Sequence, residues 1–158
     1  MKNQQCIEAS PLRSFIDEYF EAWRESVAEN LLGYFTEDVV INLWGDGGTL
    51  TGKKMVGERW VIPMIKNYPG NNHHVENFIE LGDQVAVEWC FTGIHATTGK
   101  EINIQGCSIY WVSRGLIRRG HVYFNSPQAK RDQGLSALDH THHSGRLGQA
   151  RQQAPSNL

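Results

Sequence analysis

The sequence predicts an α+β fold in which N-terminal helices pack into a strongly curved antiparallel or mixed sheet. Three features of the 158-residue chain carry this prediction. Apolar residues recur in steps of three and four between Leu12 and Val27, a spacing typical of an amphipathic helix. After residues 69–72, apolar residues alternate with polar ones, as they do in half-buried strands. The later connections are short enough for antiparallel hairpins, and a sheet curved around the first helix would enclose a cavity.

The helical part of the sequence divides into three segments. The first begins with Ser10 as its N-cap and Pro11 at its first position, a combination that helix starts favour. Residues 31–35 suggest a short second helix. A third helix fits residues 53–66, in which Pro63 must cause a kink or an early end.

The strands are predicted from residue type and from turn signals. Residues 37–44 are rich in residues that favour extended structure, and the glycine-rich segment 45–48 follows them as a turn. Four further strands are predicted at residues 75–81, 84–95, 101–113 and 116–125.

Composition divides the chain into a folded body and two flexible ends. All 16 aromatic residues lie between Phe15 and Phe124, whereas glutamine, serine, glycine, arginine and histidine dominate the last segment. Such a composition cannot bury enough apolar surface to offset the entropy of ordering. We therefore expect a flexible N-terminus over residues 1–9, one domain over residues 10–126 and a mostly flexible polar tail over residues 127–158.

Charge and residue counts exclude several classes of protein. The net charge is 15 − 17 = −2, whereas nucleic-acid-binding modules normally present a basic surface. No apolar run reaches the roughly 18 residues of a membrane span, and the layout of a signal peptide is missing at the start, so we expect a cytoplasmic protein. The three cysteines show no CxxC spacing, and the tail histidines lack a held geometry, so we expect neither a metal site nor a cofactor.

The landmarks of the chain, in their order, resemble those of the nuclear transport factor 2-like superfamily, and within it the SnoaL-like group. The resemblance covers about residues 12–125. It rests on residues 19–35 leading into 36–41, on Gly52 opening the third helix, on residues 73–77 opening a long strand, and on residues 115–117 and 123–125 at the two ends of the last strand. It implies a cone-shaped α+β barrel. The superfamily includes isomerases, dehydratases, cyclases, epoxide hydrolases and binding proteins, so the fold alone does not decide the function.

Comparison with ketosteroid isomerases assigns a role to one tyrosine. Tyr19 aligns with their oxyanion-stabilising tyrosine, although a core tyrosine on an apolar helix face is an equally good interpretation. Their carboxylate base aligns with Leu43, which cannot accept a proton, and their second oxyanion donor falls near Cys107 or Ser108. The resemblance therefore implies only part of that mechanism.

Other relatives place ionisable groups where this chain has none. The charged triad of limonene epoxide hydrolases aligns with Trp89, Phe91 and Asn125, so we argue against that chemistry. Asn125 also replaces the acid that SnoaL-like cyclases carry at the end of the last strand, and an amide cannot be a general base. The resemblance to scytalone dehydratase places His74 at the mouth of the cavity and aligns a catalytic tyrosine with Trp23.

A row of polar residues in the last strand is the strongest candidate for chemistry. If Asn125 faces the cavity, alternation places Tyr123, His121 and Arg119 on the same face, together with Ile117. The alternative is that this face meets solvent or a dimer interface. With carboxylates missing, histidine is the natural base, because its ordinary pKa of about 6.5 suits proton transfer near neutral pH.

The sequence-based hypothesis is a cofactor-free isomerase, cyclase or dehydratase acting on a small aromatic or polycyclic carbonyl compound such as a polyketide. His121 or His74 would be the base, Tyr19 and Asn125 the oxyanion donors, and Arg119 the anchor. The expected lining of the cavity is Trp23, Leu43, Trp89, Phe91 and Tyr123. The alternative is a non-catalytic binding protein of the same fold. Apolar residues on the outer sheet face also predict a homodimer.

Overall fold

The computed structural model describes residues 10–44 and 48–124. The predictions made for residues 1–9 and 127–158, and those for Asn125, lie outside this part of the chain. The helices are α1 (Pro11–Glu25), α2 (Ala28–Leu32), α3 (Lys53–Val56) and α4 (Ile62–Asn67), with a π-helical turn at Gly57–Val61 between α3 and α4. The strands are β1 (Phe35–Trp44), β2 (Gly48–Thr51), β3 (Asn72–Leu81), β4 (Gln84–Ile94), β5 (Glu101–Ser113) and β6 (Leu116–Phe124).

The first helix has the boundaries and the apolar face that its sequence predicts. The Ser10 hydroxyl accepts a hydrogen bond from the backbone N–H of Arg13 at 3.1 Å, and Pro11 occupies the first turn. The helix ends at Ser26, whose left-handed φ of 56° closes the last turn onto the carbonyl of Trp23. Its buried face, which contains Ile16, Tyr19, Phe20 and Trp23, packs against the concave side of the sheet.

The third predicted helix is interrupted, as its proline predicts, but the irregular turn lies just before Pro63 and not at it. Pro63 lies in the first turn of α4, and the π-helical turn Gly57–Val61 comes directly before it. Proline lacks an N–H, and its ring clashes with the carbonyl four residues earlier, which here belongs to Arg59. The widened turn accommodates both effects and directs Trp60 into the core.

Within the described residues, one mixed sheet of six strands forms the other layer, in the order β2-β1-β6-β5-β4-β3. Every neighbouring pair is antiparallel except β1 and β6, which run parallel. Over residues 10–44 and 48–124 the sheet does not close, because β2 and β3 are its two edges. The predicted α+β cone is confirmed, with an open sheet in place of a closed barrel.

Bulges in several strands bend the sheet. Pairing shifts register between Val75 and Asn77 in β3, and between Ile117 and Arg119 in β6 where it faces β5. A one-residue bulge also exchanges the two faces of a strand beyond it. Among the described residues, no helix is long and apolar enough to cross a membrane.

Candidate functional site

An apolar cavity lies between α1, the π-helical turn and the concave face of the sheet. The empty space is about 440 Å³ when its open mouth is included, but the cavity itself has a volume of about 30 Å³. That is room for about two waters. A larger ligand must therefore displace side chains. The lining residues are Tyr19, Phe20, Trp23, Trp60, Met64, His73, Trp89, Phe91, Ile104, Ser108, Tyr110, Val122 and Phe124.

His73 carries the only imidazole among the described residues that line this cavity. Its ring stacks on Phe20, with centroids 5.2 Å apart, and meets the edge of Phe91 at 4.8 Å. Burial among these rings lowers the pKa of His73 to about 3, because the imidazolium would lose its hydration there. The side chain is therefore neutral at neutral pH.

A fully buried amide fixes one edge of the His73 ring. The Nδ1 atom lies 3.2 Å from Oδ1 of Asn71. The Asn71 Nδ2 atom donates to the carbonyl of Trp23 at 3.1 Å and to the carbonyl of Tyr68 at 2.9 Å. Asn71 thus joins the end of α1 to the start of β3 at the position where the histidine enters the cavity.

Two tyrosines bring phenol groups into the cavity. The hydroxyl of Tyr19 is buried and has no hydrogen-bond partner within the described residues. Tyr110 and Trp23 lie close enough to affect its pKa, but neither is in hydrogen-bonding geometry with it. Burial raises the pKa of Tyr19 well above 10 and raises the pKa of Tyr110 to about 12, so both phenols stay protonated. Within the described part of the chain, the Tyr19 hydroxyl is therefore a donor without an acceptor.

The position of Trp89 is set by a hydrogen bond and by a glycine. Its indole N–H donates to the hydroxyl of the buried Ser108 at 2.9 Å. The ring lies over Gly106, where an added Cβ would be 2.3 Å from the Trp89 Cζ2 atom. Only glycine permits this approach, so the aromatic wall depends on that residue.

The structure brings four of the predicted site residues together and buries a fifth nearby. Tyr19, Trp23, Trp89 and Phe91 all line the cavity. Leu43 is buried in the core on the inward face of β1, but it is not among the lining residues.

The predicted polar wall of the cavity is wrong for three residues. Arg119, His121 and Tyr123 lie on the other face of β6, because Val122 and Phe124 take the inward positions. The prediction starts from an inward Asn125, but Phe124 takes the inward position, and alternation then directs Tyr123, His121 and Arg119 outward. The bulge at Arg118 is the reason that Ile117 nevertheless faces inward. His74 likewise lies on the exposed face of β3, while its neighbour His73 faces the cavity.

An aromatic and cationic cluster lies on the outer face of the sheet and consists of Trp44, Trp111, Arg119, His121 and Tyr123. Arg119 donates through Nε to the His121 Nε2 atom at 3.3 Å and lies 5.0 Å over the Trp111 ring. Trp44 and Tyr123 stack with centroids 5.6 Å apart, and their side chains are 51% and 38% exposed. Partial burial, together with the Arg119 charge, lowers the pKa of His121.

Sequence reasoning missed the roles of His73, Trp60 and Tyr110 at the cavity. His73 could be recognised as one of two adjacent histidines, but not as the inward one. Trp60 lies four residues after the buried Val56 and four before Met64, which is a helical spacing on one face. Ser108 shares the inward face of β5 with Tyr110, and the comparison with isomerases had placed a donor close to it.

Comparison with known proteins supplies the family. The family model of the SnoaL-like domain matches residues 16–120. The chain belongs to the SnoaL-like domain family. A search of curated protein sequences finds no significant relative.

Solved structures with the same fold bind or transform different molecules. A protein with a ketosteroid isomerase-like fold from Catenulispora acidiphila, solved with trimethylamine, is 16% identical, with a TM-score of 0.67 over 82% of this chain and 97% of the other. SalBIII, an epoxide hydrolase/cyclase-like enzyme of pyran ring formation in salinomycin, is 16% identical, with a TM-score of 0.63 over 71% and 88%. TerC, co-crystallised with polyporic acid, is 20% identical, with a TM-score of 0.63 over 79% and 99%. At these identities the likeness shows the fold of this SnoaL-like protein and leaves its reaction open.

Proposed function

We propose that this SnoaL-like protein is a cofactor-free acid–base enzyme that isomerises, cyclises or dehydrates a small aromatic or polycyclic carbonyl compound of natural-product metabolism. The observation that carries the proposal is the presence in one aromatic cavity of His73 and of a Tyr19 hydroxyl that has no hydrogen-bond partner among the described residues. A neutral imidazole can accept a proton, and a buried phenol can donate a hydrogen bond to a developing oxyanion. The aromatic walls suit a flat ligand.

The proposed step is removal of a proton from a carbon next to the substrate carbonyl. The C–H bond breaks, the proton passes to His73, and the electron pair moves through the new C=C bond to the carbonyl oxygen. Tyr19 then donates a hydrogen bond to that oxyanion. No bond to a cofactor is needed, because the carbonyl itself accepts the electron pair.

The pKa of His73 sets the energy that the oxyanion must supply. A fall from about 6.5 to about 3 makes the imidazolium less stable by roughly 5 kcal/mol than it would be in water. An oxyanion roughly 4 Å from the imidazolium would return about 4 kcal/mol at an effective dielectric constant near 20. An oxyanion at this distance therefore offsets most of the cost of protonating His73, so proton transfer to His73 has to be coupled to enolate formation.

Deuterium exchange tests this step without knowledge of the natural substrate. 1-Tetralone carries exchangeable protons next to its carbonyl, and NMR in D2O follows their loss. We expect the protein to accelerate exchange and His73→Gln to reduce that acceleration by at least about 100-fold. His74→Gln, on the exposed face of the same strand, is the matched control and should retain it. Equal rates for the two variants would contradict the role of His73.

A non-catalytic binding protein is the second candidate function. The observation that favours it is the absence of any carboxylate among the described residues that line the cavity, together with the low pKa of His73. Tight binding of aromatic ketones without faster exchange would support this alternative.

A homodimer through the outer sheet face forms part of the proposal. Trp44 and Tyr123 expose stacked rings beside Trp111, and a second copy would cover this apolar area. Light scattering should give twice the chain mass for the wild type and a monomer for Trp44→Arg. A wild-type monomer at high concentration would contradict the dimer.

A further inference from the structure

The hydrogen bonds of Asn71 determine the orientation of its side-chain amide. A carbonyl oxygen can only accept, so the contacts with Trp23 and Tyr68 engage the NH2 group of Asn71. The Asn71 Oδ1 atom must then be the one that faces His73. An exchanged orientation would place the amide oxygen against two carbonyl oxygens, which is repulsive.

This orientation also decides which nitrogen of the His73 ring carries the proton. Oδ1 of Asn71 is an acceptor, so the Nδ1 atom of His73 must be the donor across the 3.2 Å contact. In a neutral imidazole the other nitrogen, Nε2, is then bare. Within the part of the chain that is described, no hydrogen bond is made to Nε2, so its lone pair is free for a ligand in the cavity.

We propose that Asn71 is a positioning residue that holds His73 as its Nδ1–H tautomer, and that the cavity consequently selects ligands that present a hydroxyl donor to Nε2. A phenol or an enol is the donor that this site fits, because both are neutral and lie in the plane of a flat skeleton. The Tyr19 hydroxyl supplies the complementary donor for a carbonyl oxygen. The ligand class is therefore a hydroxylated aryl ketone or its enol, and the inference rests on the proposed function in treating this cavity as the ligand site.

The alternative for Asn71 is a purely structural link between α1 and β3. Nitrogen-15 NMR of the labelled full chain separates the two, because a protonated and a bare ring nitrogen have well-separated chemical shifts. We expect His73 to show a protonated Nδ1 and a bare Nε2 in the wild type. Asn71→Ala should show both tautomers. A purely structural role predicts that the alanine variant keeps the wild-type tautomer.

Controls keep this experiment decisive if a variant folds poorly. His73→Gln assigns the resonance by removing it, and Asn72→Ala changes an exposed amide next in the chain. The wild-type spectrum alone decides the central point. A protonated Nε2 in the wild type overturns the proposal without any Asn71 variant.

Two probes of nearly equal size test the ligand class. 1-Naphthol donates a hydrogen bond, whereas 1-fluoronaphthalene does not, and the fluorescence of Trp23, Trp60 and Trp89 in the cavity wall reports binding. We expect the wild type to bind 1-naphthol at least about tenfold more tightly, and His73→Phe to reduce the ratio below about threefold. Equal affinities in the wild type overturn the selection of a donor and leave the proposed function standing. Binding of neither probe overturns the ligand class and the proposed function together.

Discussion

Replacing Tyr19 with phenylalanine should stabilise the fold and impair the chemistry at the same time. The side chain is 0% exposed, and its hydroxyl has no partner within the described residues. A buried hydroxyl left without a hydrogen bond costs about 1–3 kcal/mol, and phenylalanine keeps the ring and its packing. At the lower end of that range, we expect the free energy of unfolding to rise by about 1 kcal/mol. The melting temperature should then rise by roughly 3–5 °C for a domain of this size.

The assay combines urea or thermal unfolding with deuterium exchange on 1-tetralone. Tyr19→Phe should slow exchange by about 10²–10³-fold, the usual effect of removing one oxyanion donor. Tyr123→Phe, on the exposed outer face, should change stability by less than about 0.5 kcal/mol and leave exchange unchanged. A loss of about 1 kcal/mol or more in Tyr19→Phe would refute the reasoning, because it would show that the hydroxyl is hydrogen-bonded in solution, for example to a buried water.

Three further predictions follow from the geometry of the cavity and of β6. The pKa of His73 is about 3 in the fold and about 6.5 in the unfolded chain. The neutral His73 ring therefore costs the fold nothing above about pH 6.5, and between about pH 6.5 and pH 3 the free energy of unfolding falls by about 1.4 kcal/mol for each pH unit. His73→Gln should therefore flatten the fall in urea-unfolding stability between about pH 6 and pH 4, and a slope equal to that of His74→Gln would contradict this. Gly106→Ala would place Cβ 2.3 Å from the Trp89 ring and should lower the free energy of unfolding by about 2–3 kcal/mol, measured by thermal unfolding. An unchanged melting temperature would show instead that the Trp89 ring has room to move. His121→Ala should keep exchange within about twofold of wild type, because His121 lies outside the cavity, and a 100-fold loss would return it to the role of base.

The fold could be predicted from sequence because its helical and strand periodicities are strong and its turns are well marked. The start of α1 and the bounds of β4, β5 and β6 lie within about two residues of their predicted positions. The sequence does not reveal β2, which has four residues and follows a glycine-rich segment. It also does not reveal the parallel pairing of β1 with β6, because that contact joins residues more than 70 positions apart.

The aromatic character of the cavity was also predictable, whereas its polar groups were not. Trp23, Trp89 and Phe91 occur at positions that both the apolar pattern and the family resemblance direct inward. The position of Tyr19 on the buried face of α1 follows from helical spacing alone. The identity of the inward histidine depends instead on the local geometry of two strands.

A bulge helps to decide which way the histidines face in both strands. In β3, alternation counted back from the half-buried Phe78 would direct His74 inward, but the bulge at Glu76 exchanges the faces and directs His73 inward. In β6, alternation counted forward from Ile117 would direct His121 inward, but the bulge at Arg118 directs it outward. Bulges bend strands, and a sheet that curves around a helix needs such bends. The curvature that creates the cavity therefore also decides which histidine enters it, and a period-two pattern contains no information about where the bends occur.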